Sequence, residues 1–204
     1  MTFIHTTPPE EARGDVLELY RQQQGDMDHL PNYARVFCHR PQVMQAWAEL
    51  QRVIRREMDT RTYSLITLAA ALAIHSSYCA LAHGRKLLSR YFTQEELIAI
   101  VRDDGASPLS AAEQTMMRFA RKVALDASSV TAEDIDAMRT AGLSDDRIFD
   151  IAAAAAARCF FAKLPDALGV RADAALADLP PALRGLLEVG RPAEMAGPVS
   201  NQFI

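Results

Sequence analysis

The sequence is short of several things, and each shortage excludes something. Cysteine occurs three times, at Cys38, Cys79 and Cys159, with neither the paired spacing of a zinc site nor the even set of a disulfide framework. Free thiols suit a reducing compartment, so the expected location is cytoplasmic. The 9 glycines and 10 prolines in 204 residues are too few for a fibrous or low-complexity chain. The two most apolar stretches, Leu65 to Ile74 and Ile151 to Ala157, fall far short of the roughly 18 residues of a membrane-spanning helix. The opening segment MTFIHTTPPEEAR lacks the apolar core of a secretory leader, and no membrane partner is expected. Positive charge is also modest, with Lys+Arg 22 against Asp+Glu 26 and a net charge of −4. No basic stripe exists to follow a phosphate backbone, so nucleic acid is set aside as a partner. Alternating apolar and polar β-branched runs are missing as well, which argues against a sheet.

What the sequence does contain is helical. With 50% hydrophobic and 24% charged residues, a chain of this size buries roughly 70% of its unfolded surface and needs no staple. One all-α domain over 1–204 is expected, with about eight or nine helices and no linker or internal repeat. Thr7-Pro8-Pro9-Glu10 offers a cap and a proline start for a first helix over about 8–24, ending near Gly25. Pro31 opens a short segment through Phe37. Pro41 opens a longer one to about Met58, carrying Val43, Met44, Trp47, Leu50, Val53 and Ile54 at helical spacing opposite Gln51, Arg52, Arg55, Arg56 and Glu57. The helix from about Thr60 to Ile74 is apolar or small on nearly every side and belongs at the centre. Capping boxes at Thr93/Glu96, Ser110/Glu113 and Thr131/Asp134 open three more. Gly142 then stops a helix, Ser144 starts the next, and Ile148 to Ala162 forms a second central helix that Pro165 breaks or kinks. The segment 190–204 reads as an extended arm ending on Phe203-Ile204, suited to lie against a partner subunit.

Chemistry concentrates in Ala73-Ile-His-Ser-Ser-Tyr-Cys-Ala-Leu-Ala-His83-Gly84. Cys79 and His83 are four residues apart, and on a helix that spacing puts both side chains on one face, close enough for the imidazole to manage the thiol proton. His75 lies four residues to the other side. Either one helix runs through all three, or Ser76-Ser77 breaks it and a serine caps a new helix with Cys79 in its first turn. We prefer the second geometry, because free backbone N–H groups and the helix dipole there favour a thiolate. Set against this, a free cysteine and a lone histidine are often simply core residues. One cysteine and two histidines on a single element do not make a metal site, and no metal or cofactor is expected. Cys38 and Cys159 read as core or near-core thiols.

The stretch SSYCALAHG resembles the signature of the alkylhydroperoxidase D-like and carboxymuconolactone decarboxylase superfamily. Redox members of that group carry Glu, eleven residues, Cys-x-x-Cys, three residues and His. Cys79 and His83 match the second cysteine and the histidine, and the similarity extends through VFCHRPQVMQAW and through the segment from Thr131 to Gly169. The resemblance implies an alkylhydroperoxidase D-like helical bundle and a homo-oligomer. It also implies a thiol-dependent peroxidase-like function, with Cys79 attacking a small-molecule hydroperoxide, His83 handling the proton and Ser76 donating a hydrogen bond. The sequence departs from the signature in having Ser76 for the first cysteine and Ser64 for the glutamate. Cys79 then has no vicinal thiol, so an external thiol reductant must resolve its sulfenic acid. His83 lacks its carboxylate unless Glu57, Asp59 or a distant residue supplies one. Two alternatives stand beside this: a decarboxylase-like enzyme using His83 as acid and base on a small organic acid, which the scarcity of arginine near His83 beyond Arg85 disfavours, and a catalytically lapsed oligomeric binding protein.

Overall fold

The computed structural model describes residues 2–103, 105 and 107–195. Among these residues there are ten α-helices and no strand. The helices are α1 (Gly14–Gln24), α2 (Asn32–Val36), α3 (Pro41–Ile54), α4 (Thr60–Ala73), α5 (Ser77–Arg90), α6 (Gln94–Arg102), α7 (Ala111–Asp126), α8 (Ala132–Thr140), α9 (Asp145–Ala167) and α10 (Pro181–Leu187). The all-α expectation holds, with slightly more helices than expected. No described helix is long and apolar enough to cross a membrane.

At the centre lies α4, buried from Tyr63 to Ala73 and packed against α5, α7 and α9. A helix buried all round must be apolar all round, which is the pattern its sequence shows. Local chemistry sets most boundaries. Thr93 and Glu96 exchange backbone-to-side-chain bonds of 2.8 and 3.2 Å, and Ser110 and Glu113 do the same at 2.9 and 3.2 Å, so two helix starts satisfy their own orphan donors. At Thr131 the backbone N–H donates to the Asp134 carboxylate at 2.8 Å.

Three boundaries differ from expectation. The first helix begins at Gly14 rather than near residue 8: Pro9–Glu11 form a 3-10 turn, and Ala12 and Arg13 are extended. Pro9 holds Pro8 in an extended conformation, and Arg13 Nη1 binds the Ala12 carbonyl at 2.7 Å. α3 stops at Ile54, not Met58, because the Asp59 carboxylate caps α4 by accepting from the Thr62 N–H at 2.9 Å. Pro165 does not break α9, since it sits in the last turns. The helix ends at Ala167 and is closed off by the turn that follows, where Val170 N–H donates to the Pro165 carbonyl at 3.0 Å and Gly169 takes a positive φ of 79°. Nothing in the apolar spacing announced α10, which is held by buried Leu183 and Leu187 against α5 and α6. Within the 190–204 arm, residues 196–204 lie outside the described residues, and Phe203-Ile204 with them.

A candidate active site around Cys79

The joint between α4 and α5 sets the position of Cys79. After Ala73 the chain makes a paired turn: Ser76 N–H donates to the Ala71 carbonyl at 2.9 Å and His75 N–H to the Leu72 carbonyl at 3.2 Å, with His75 at φ 56°. This is the six-to-one and five-to-two pattern that ends helices, with histidine where glycine is commoner. The helix is therefore broken, and His75, Cys79 and His83 do not form one seam. His75 ends α4 and its Nδ1 lies 3.3 Å from the Val189 carbonyl. Ser76 occupies the cap position of α5 without making a side-chain cap bond, and Cys79 follows in the first turn.

Cys79 and His83 both line a cavity of about 300 Å³ between α3, α4, α5 and α9. Its walls are aromatic: Tyr33, Trp47, Tyr63, Tyr78 and Phe161. Its charged lining consists of Arg55, Lys86 and Arg158, with no carboxylate among the lining residues. Arg158 is 4% exposed. Its guanidinium donates to the Cys79 sulfur at 3.6 Å and to the Tyr63 hydroxyl at 3.1 Å, and it lies 5.6 and 5.4 Å from the ring centroids of Trp47 and Phe161. Burial works against the Arg158 charge, yet Cys79 and Tyr63 more than offset it and the group is held firmly protonated. No hydrogen bond joins Cys79 to His83 directly.

His83 is half-buried, stands edge-on to Tyr63 at 5.9 Å between centroids, and keeps its Nδ1 shielded from solvent without a partner. Burial, and then the charges of Arg158, Lys86 and Arg55, hold its imidazole well below the usual range. It is therefore neutral near pH 7. Neither Glu57 nor Asp59 supplies a carboxylate: Glu57 is exposed and Asp59 is spent on its cap. Lys86 is also lowered, by burial first and then by Arg55, Arg90 and Arg158.

Ser76 and Ser64 are wholly buried, and neither lines the cavity. The Ser76 hydroxyl faces Asp166, whose carboxyl is raised by burial and lowered by Ser76 and Arg191. Of the expected trio, Cys79 and His83 are brought together and Ser76 is not. Residues not anticipated are Arg158, Tyr63, Trp47, Lys86 and Arg55, and they overturn the reading that arginine is scarce around His83. A lone arginine inside an alanine-rich run was the one available signal for Arg158. Behind the cavity wall, the Tyr78 hydroxyl donates to the buried Asp173 carboxylate, which also accepts from the Asn32 N–H at 2.9 Å. Burial, followed by Asp173, pushes the Tyr78 phenol up, and burial pushes Tyr33 up to about 12, so both remain neutral walls. Cys38 is buried and accepts from the Thr7 N–H at 3.4 Å, and Cys159 is half-buried against the Ala155 carbonyl at 3.4 Å. Among the described residues no group of three or more histidine, cysteine or acidic side chains could hold a metal ion.

The all-helical bundle that carries this cavity is a fold shared with alkylhydroperoxidase D-like proteins. The carboxymuconolactone decarboxylase family matches residues 41–122. A peroxidase-related protein with an alkylhydroperoxidase AhpD core from Ralstonia eutropha JMP134 superposes with a TM-score of 0.72 at 19% identity, covering 93% of this chain and 98% of that one. A peroxidase-related protein from Silicibacter sp. TM1040 gives 0.70 at 17%, covering 86% and 91%. A cysteine-to-alanine form of the debrominase Bmp8 in complex with 2,3,4-tribromopyrrole gives 0.68 at 16%, covering 90% and 95%. Among proteins of curated function, none matches this sequence. The family match over residues 41–122 and the shared fold make the chain similar to proteins of the alkylhydroperoxidase D-like and carboxymuconolactone decarboxylase group.

Proposed function

We propose that this chain is a one-cysteine, thiol-dependent peroxidase of the cytoplasm. The observation that carries the reading is the buried Arg158 guanidinium on the Cys79 sulfur, inside a cavity that also holds neutral His83. A fixed cation beside a sulfur stabilises the thiolate that acts as nucleophile. His83 takes the thiol proton. The sulfur then attacks one oxygen of a hydroperoxide, the O–O bond breaks, and the departing alkoxide recovers the proton from His83 and leaves as an alcohol. Arg158 and Tyr63 supply the hydrogen bonds that the sequence had suggested for Ser76, which lies outside the cavity. Cys79 is left as sulfenic acid. A small external thiol condenses with it, releasing water and forming a mixed disulfide. A second thiol releases Cys79 and leaves as the oxidised reductant.

The test is to add one equivalent of an organic hydroperoxide, trap sulfenic acid with dimedone and map the adduct. The adduct should fall on Cys79 and not on Cys38 or Cys159, and repeated turnover should need added thiol. No adduct on folded protein under excess hydroperoxide would remove the proposal and leave an acid–base enzyme or a lapsed binding protein. A second reading, acid–base catalysis on a small organic acid, is favoured by one observation, the neutral and partnerless His83. Cys79→Ser separates the two, because it abolishes the thiol chemistry and spares a His83 reaction.

A further inference from the structure

The charges of the cavity do not balance. Arg55, Lys86 and Arg158 line it, no acidic side chain does, and none of the three forms an ion pair with a carboxylate among the described residues. A Cys79 thiolate would answer one of these charges and leave two. Unpaired cations in a partly buried site are costly, and the usual remedy is an anion. Two shielded donors are also left unused, Arg158 Nε and, in the tautomer that carries its proton there, His83 Nδ1. The space of about 300 Å³ is far larger than an inorganic anion needs, and its walls are flat aromatic faces.

From this we infer that the cavity is built for an organic anion with an aromatic body, and that the hydroperoxide reduced at Cys79 is an arylalkyl hydroperoxide carrying a carboxylate. The reacting end rests on the peroxidase reading above, and the anionic end does not. Arg55 and Lys86 hold the carboxylate, the ring lies among Trp47, Tyr63 and Phe161, and the peroxide reaches Cys79. The uncharged relative of such a substrate fills the same walls and leaves the two cations unanswered.

Trp47 is the single tryptophan of the chain and lines the cavity, so its emission reports occupancy without any reaction. Benzoate and benzamide have nearly the same shape and differ in charge. Titration of the full chain with benzoate should change Trp47 emission saturably, at least tenfold more tightly than benzamide, and the advantage should shrink in 0.5 M salt, a concentration at which the screening length is only about 4 Å. Lys86→Gln and Arg55→Gln should each weaken benzoate several-fold and leave benzamide unchanged, and Lys86→Arg should restore it. In turnover with a small thiol, the para-carboxylate of cumene hydroperoxide should exceed cumene hydroperoxide at least tenfold in kcat/KM. Benzoate binding with no hydroperoxide consumed would end the peroxidase reading and uphold the anion site. Equal binding of the two probes, or emission untouched by both, would overturn the anion site whatever the chemistry.

Discussion

Arg158 carries a full charge into the interior, and its surroundings explain why it is tolerated there. It has the Cys79 sulfur and the Tyr63 hydroxyl as acceptors and the faces of Trp47 and Phe161 beside its plane. Hydrogen bonds to charged groups contribute about 1.5–3 kcal/mol, so its loss should slow thiol chemistry at Cys79 by about ten- to a hundredfold. Replacement of buried charge by an apolar side chain of similar volume is often neutral for folding. Arg158→Met is therefore expected to cut the rate of sulfenic acid formation while leaving the melting temperature within a few degrees, and equal rates in the two proteins would remove Arg158 from the mechanism. His83 gives a pH signature. Its folded pKa is depressed, so below the unfolded value near 6.5 the unfolded chain binds a proton that the folded chain refuses. Stability from this group is whole above that value and falls as pH drops toward the folded pKa. Urea unfolding at pH 7.5 and 5.5 should show this loss in wild type and less of it in His83→Gln. At this scale Cys79 and His83 were legible, because a four-residue spacing on one helix is local information. Arg158 was not, since its contact with Cys79 spans 79 positions and only tertiary packing creates it.

The element that aims Cys79 is the joint between α4 and α5, and a later segment clamps it. Gly190 N–H donates to Ser77 Oγ at 2.8 Å, and the Val189 carbonyl meets His75. A Cβ added at Gly190 would sit 2.0 Å from the His75 carbonyl oxygen, so backbone must move. Overpacking of this kind costs about 1–3 kcal/mol. Gly190→Ala should lower the melting temperature and, because the strain falls on the first turn of α5, slow dimedone labelling of oxidised Cys79. A variant with wild-type melting and labelling would show that the strap does not hold the joint. Elements of this chain were readable where their signals were local. The boxes at Thr93 and Ser110 came through for that reason, since a cap is satisfied within four residues. The break at Ser76-Ser77 came through too, but the paired turn at His75 and Ser76 makes it and no serine side chain caps α5. α10 did not come through, because a seven-residue helix lives on burial of Leu183 and Leu187, although Pro180-Pro181 marked its start. The apolar stripe of α3 misled in a further way. Met44 and Trp47 turn inward and Gln51 and Arg55 line the cavity, while Val43, Leu50 and Val53 are 38%, 49% and 52% exposed.

That outward stripe matters for the molecule as a whole. The small faces of α4 and α9 are consumed within the chain, where Ala69 to Ala71 and Ala154, Ala155 and Ala162 pack α4, α7 and α9 together. The apolar surface left over lies elsewhere, where Val43, Ala46, Leu50 and Phe160 surround an almost wholly apolar depression whose floor is Trp47. Phe160 is 48% exposed and stands 5.8 Å from the Trp47 ring. A contiguous apolar patch of this kind marks a contact surface, and the occupant we expect is a second copy of this chain, α3 against α3 about a two-fold axis. Trp47 separates this depression from the Cys79 cavity, so association should also stiffen the cavity wall. Light scattering at micromolar concentration should give at least twice the 22.5 kDa of one chain. Leu50→Asp or Phe160→Asp should return the monomer, with Trp47 emission shifting to the red as its floor becomes wet and with retained helical circular dichroism showing that the fold survives. A wild-type monomer under these conditions, or charged variants that stay associated, would place the contact somewhere other than α3.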